Sequence, residues 1–137
     1  MTITMESESE KAVTFFRFED LRVYHKALDY IIWVQDVLKE FPDGGQNLSK
    51  RFDNASESIA LNIAEGSARN KSQFVYYLKM AKSSVRECVV YTSLAFQHGY
   101  IDQIQEDYSR GYLMEMTKMI GALIGSLQRS TPNSEED

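Results

Sequence analysis

Apolar side chains recur along this chain at three- and four-residue intervals, in four runs separated by turn signals. The first run extends from about Glu19 to Phe41, with apolar residues at 21, 24, 28, 31, 34/35, 38 and 41, widened by Ala27, Ile32 and Val37. Pro42-Asp43-Gly44-Gly45 stops it, because proline cannot continue the helical ladder and glycine lets the chain turn. The second runs from about Asn47 to Glu65, with Leu48, Phe52, Ala55, Ile59 and Ile63 on one face and Gly66 near its end. The small residues Ser56, Ala60 and Ala64 lie on a neighbouring face and suit close approach of another helix.

Asn70 followed by Gln73 has the pattern of a capping box and opens a third helix reaching about His98. Phe74, Leu78, Ala81, Val85, Cys88, Thr92 and Ala95 face inward, and Gly99 supplies a left-handed stop. Asp102 with Gln105 repeats the cap. The fourth helix then turns Ile104, Tyr108, Met116, Met119, Ile120, Leu123 and Leu127 inward. No strand-type alternation competes with these periods. Rods of about 30–40 Å joined by three short connections pack most economically as an all-α, antiparallel, up-down-up-down four-helix bundle. Residues 1–14 and 130–137 are polar and aperiodic and read as flexible tails around a bundle over 15–129.

Composition changes this picture in two places. One cysteine, Cys88, rules out an internal disulfide and fits a reducing compartment, so the cytoplasm is expected. The longest apolar run is too short to span a membrane, and the acidic start lacks the features of a secretory signal. The net charge of −5 belongs to the ends, because residues 12–130 carry fourteen bases and fourteen acids. Within that neutral body, residues 50–86 hold seven bases against three acids.

Candidate chemistry in the interior is sparse. A di-metal bundle site needs Glu-x-x-His pairs, but the residue three before His25 is Arg22 and three before His98 is Ala95. Cys88 lies on an apolar stripe, where a thiol behaves as a small hydrophobe, and His98 at a helix end suits a capping role. There is no phosphate loop or dinucleotide fingerprint, and no small-molecule substrate is evident. The expectation is therefore a non-enzyme without metal or cofactor. Gly121-x-x-x-Gly125 sits on a helix too polar for a membrane and reads as close helix packing.

Three surface features stand out. Arg22, Lys26, Asp29, Trp33, Asp36 and Glu40 form the outward stripe of the first helix, with the single tryptophan in its middle. That pattern makes Trp33, with Asp29 and Asp36, a candidate oligomer anchor, against the alternative that neighbouring side chains cover it. Lys79, Lys82 and Arg86 share a face of the third helix, with Arg69 and Lys71 upstream, as candidate phosphate contacts or an ordinary solvated face with internal ion pairs. Asn62, Glu65, Gly66 and Arg69 read as a polar clamp at the turn between the second and third helices, in preference to a ligand site.

Phe18-Glu19-Asp20-Leu21-Arg22-Val23-Tyr24-His25-Lys26-Ala27, then Ser58-Ile59-Ala60-Leu61-Asn62-Ile63-Ala64-Glu65-Gly66, Phe74 to Leu78, and Gly99-Tyr100-Ile101 occur in this order. Together they resemble the four-helix-bundle family named after proteins encoded in intervening sequences of bacterial 23S ribosomal RNA genes. That family is similar to the accessory variability determinants of diversity-generating retroelements. The resemblance covers about residues 16–128, with Asn62 to Gly66 its most specific piece. It implies a cytoplasmic homo-oligomer, a ring of five copies, with no catalytic activity. The retroelement branch is strongly basic and binds RNA and reverse transcriptase, and the neutral body of this chain departs from it.

Overall fold

The computed structural model describes residues 16–130, and the expected tails lie outside these apart from Ser130. A 3₁₀ turn, Arg17–Asp20, precedes four helices: α1 (Arg22–Leu38), α2 (Gln46–Ser67), α3 (Lys71–Gln97) and α4 (Gln103–Arg129). The first helix is shorter at both ends than the apolar period implied. Leu21 is extended at φ −84° and ψ 124°, which separates the 3₁₀ turn from α1. At the other end the chain leaves the helix after Leu38, ahead of Pro42. Both caps form, but only the second is the full box that the sequence pattern implied. Asn70 accepts from the Gln73 amide at 2.9 Å. At Asp102 the box is reciprocal, with bonds of 2.8 and 2.9 Å to and from Gln105. Gly99 takes φ 78°, a conformation that side chains with a Cβ rarely adopt, and it ends the α3 turn.

The helices share seams in the order α1–α2–α3–α4 and back to α1, so α1 lies diagonal to α3 and α2 diagonal to α4. Cross-seam pairs set the antiparallel sense: Thr92 with Ser109 and Lys71 with Ser130 between α3 and α4, and Lys26 with Glu115 and Trp33 with Tyr108 between α1 and α4. The central core gathers Tyr30 and Val34 from α1, Phe52, Ile59 and Ile63 from α2, Leu78 and Val85 from α3, and Leu113, Met116 and Ile120 from α4. A smaller cluster of Val37, Phe41, Ala95 and Ile101 closes one end. No helix among the described residues is long and apolar enough to cross a membrane.

The inward faces of α2 and α3 match their sequence periods, while α1 and α4 are rotated from theirs. On α1 the buried row is Val23, Ala27, Tyr30, Val34 and Val37, and Ile32 is 61% exposed. This helix is apolar over most of its circumference, so two adjacent rows competed and the neighbours decided. On α4, Ile104 and Tyr108 point outward at 79% and 46% exposure, and Ser109 and Leu113 take the interior. The expected close packing at Gly121 is absent, since a Cβ built there meets nothing within 4 Å.

Candidate interaction surfaces

The interior holds one polar chain. The Tyr30 hydroxyl lies 2.8 Å from Ser109 Oγ, which lies 2.8 Å from Thr92 Oγ1, which donates to the Cys88 carbonyl at 2.7 Å. The last bond fixes the sense of the others. A carbonyl only accepts, so Thr92 spends its one proton there, Ser109 must donate to Thr92, and Tyr30 must donate to Ser109. All three hydroxyls are buried and all are satisfied. Burial pushes the Cys88 thiol up to about 12, with the charge of Glu87 adding, so it stays protonated at neutral pH. Burial likewise pushes the Tyr30 phenol far up. Among the described residues no cluster of three or more His, Cys, Asp or Glu is placed to hold a metal ion.

Trp33 is not the free outward aromatic that the α1 stripe suggested. It is half-buried, its ring 6.0 Å from Tyr30 and 5.0 Å from Tyr108, and it packs against both core clusters. Lys26 sits 4.3 Å over the Tyr112 ring and pairs with Glu115 at 2.9 Å, so this seam is filled by aromatics across its width. Asp29 and Asp36 remain exposed on its rim, Asp36 held by Lys39 at 3.3 Å.

The polar clamp forms only in part. Arg69 binds Glu65 one turn back and lies 5.4 Å over the Tyr77 ring of α3. Asn62 donates to the Ser58 carbonyl at 2.9 Å and the Ser58 hydroxyl at 3.0 Å, within its own helix rather than across to α3. Ser58 makes the crossing instead, accepting from Ser84 at 2.8 Å. Gly66 is needed for proximity: a Cβ there would stand 2.6 Å from Tyr77 Cβ and 2.9 Å from Phe74 Cδ1.

The five candidate cations do not act together. Arg69 is taken by Glu65, and Lys71 donates to the Ser130 carbonyl and hydroxyl. Lys79, Lys82 and Arg86 stay on one face of α3. None of them joins an ion pair among the described residues, contrary to the internally paired alternative. Arg86 donates to the Ser83 hydroxyl at 3.4 Å. A second surface was not marked in the sequence. Between α1 and α2 lies a groove of about 550 Å³ lined by Tyr24, Leu28, Ile31, Ala60 and Leu61, with Gln35 and Glu57 at its polar edge. Its outer walls continue into Ile32 and Leu61, the latter 68% exposed.

The family model described as "23S rRNA-intervening sequence protein" matches residues 19–122. Comparison with curated proteins gives no match. Among solved structures, a protein of unknown function from the S23 ribosomal protein family of Bacteroides thetaiotaomicron is similar, with a TM-score of 0.70 at 21% identity. The match covers 75% of this chain and 95% of that one, a likeness of fold.

Proposed function

This chain belongs to the 23S rRNA-intervening sequence protein family, and from that premise we propose that it works as a non-enzymatic, self-associating interaction module. The observation that carries the reading is the α1/α2 groove. Leucine, isoleucine and tyrosine line it, and two large aliphatic side chains beside it, Ile32 and Leu61, are more than half exposed. Covering them with a second copy removes apolar surface from water at about 25 cal/mol per Å². A groove on one face that meets a different face of the next copy makes a head-to-tail contact, the kind that closes rings. The same reading puts the protein in the cytoplasm, where a buried, protonated Cys88 suits a reducing environment.

Multi-angle light scattering of the purified chain at micromolar concentration tests this. A mass that is a multiple of 15.8 kDa is expected, and Ile32→Asp/Leu61→Asp should lower it. A strict monomer, or an assembly that the double variant leaves intact, removes the groove from the account.

A further inference from the structure

The α3/α4 face carries a second groove, of about 420 Å³, lined by Val89, Arg110, Gly111, Leu113, Met114 and Thr117. Helical spacing builds two cationic banks around it. On α3, Arg86, Lys82 and Lys79 lie three, seven and ten residues before Val89 and so share its side of the helix. On α4, Arg110 and Lys118 lie four residues either side of Met114. Four of these five cations are exposed and Lys82 is half-buried, and none joins an ion pair among the described residues.

No acid lies between the two banks along the length they share. Glu115 is turned toward α1 and held by Lys26. Glu87 lies at the α3 position one residue beyond Arg86, rotated away from Val89. Glu106 and Asp107, one turn before Arg110 on the same side of α4, both accept from Gln103 and close the cationic stretch at that end. A molecule with net charge −5 therefore keeps one groove bordered by five cations.

We propose that this groove binds a single strand of nucleic acid, its phosphates along the cationic banks and its bases toward the Val89–Met114 floor. This goes beyond self-association, which uses the opposite face of the bundle. The Thr92–Ser109 pairing sets the α3/α4 register and places the cations over about 18 Å at 1.5 Å per residue. A stacked strand rising about 3.4 Å per nucleotide presents about five phosphates over that length. Two helices packed about 10 Å apart leave a furrow that fits one strand and not a base-paired duplex.

The test is fluorescence anisotropy of the full chain with a labelled twelve-nucleotide oligo(U), titrated between 50 and 200 mM KCl. Five phosphate contacts on a single strand give a log–log salt slope of about −3.5, or about 100-fold weaker binding over that range. Arg86→Glu/Arg110→Glu should weaken binding more than tenfold and flatten the slope by at least about 1.4. Lys50→Glu, on exposed α2, should change neither. If the reversal variant loses its helical circular dichroism, Arg86→Gln/Arg110→Gln replaces it, with a smaller loss of the same kind. Four outcomes overturn the proposal: no saturable binding at 50 mM KCl, an equal loss in Lys50→Glu, tighter binding of the matching duplex, or a reversal variant whose light-scattering mass falls, which would assign the face to a second copy. The groove on α1/α2 stands or falls separately, through Ile32 and Leu61.

Discussion

The α2/α3 and α1/α4 seams solve one packing problem by opposite means. Between α2 and α3, Gly66 brings the helix backbone against Tyr77 and Phe74, and the small Ser58 and Ser84 side chains bond across at 2.8 Å. Between α1 and α4, Tyr30, Trp33, Tyr108 and Tyr112 form a run of rings 5.0 to 6.0 Å apart that fills a wider gap. A seam made of small residues tolerates no added atoms, whereas one made of rings tolerates no removed ones. The two should therefore fail under different substitutions.

The sharpest way to break that comparison is Tyr30→Ala. The side chain is fully buried at the centre of the aromatic seam, and its loss leaves a cavity and a buried Ser109 oxygen that has lost the hydrogen bond it accepted. A loss of about 3–5 kcal/mol in urea unfolding is expected, and a cost under about 1 kcal/mol would mean the gap collapses freely. Next comes Gly66→Ala, one added carbon in the tight seam, which should cost about 1–3 kcal/mol because the opposing atom is Tyr77 Cβ and cannot swing aside. The same change at Gly121, which faces open space, should be neutral or stabilising, and equal costs at the two glycines would contradict the close approach.

The smallest effect sharpens the chemistry beneath the aromatic seam. The Cys88 thiol moves from an ordinary 9.0 to about 12 on folding. As pH rises, the unfolded chain therefore loses this proton first. The stabilising contribution is complete below pH 9 and declines between pH 9 and 12, by about 1.4 kcal/mol at pH 10 from this one group. Urea midpoints at pH 8 and pH 10 measure the decline. Cys88→Ala should shrink it, and an unchanged decline in that variant would place the titrating group elsewhere.

How far the sequence reached differed from helix to helix. Periodicity placed the α2 row from Phe52 to Ile63 and the α3 row from Leu78 to Ala95 on the correct face, although Leu61, Met80, Val90 and Leu94 stay exposed on the same helices. On α1, Tyr24, Leu28 and Ile31 form a second apolar row beside Val23, Ala27 and Tyr30, and only the position of α2 decides between them. Ser109 was invisible because its burial depends on partners supplied by Tyr30 and Thr92, residues distant in the chain. Trp33 looked free because its cover, Tyr108, comes from the last helix of the chain. The same limit hid Arg110 and Lys118, which join Lys79, Lys82 and Arg86 only through the antiparallel register of α3 and α4. The corrections at the α1 row, Ser109 and Trp33 share a cause: each needed a neighbour that periodicity within one helix does not name.

The buried hydroxyl relay from Tyr30 to the Cys88 carbonyl also works as a vernier between helices. Greasy side chains tolerate sliding, because one methyl group serves nearly as well as the next. Displace α1 or α4 by one turn, about 5.4 Å, and Tyr30, Ser109 and Thr92 no longer meet. Each stranded hydroxyl then costs about 1–3 kcal/mol, a heavy tax on a domain whose whole stability is about 5–15 kcal/mol. Three otherwise slippery rods, α1, α3 and α4, are thereby held to a single vertical alignment, and it is this alignment that keeps the separate cations of α3 and α4 level with one another.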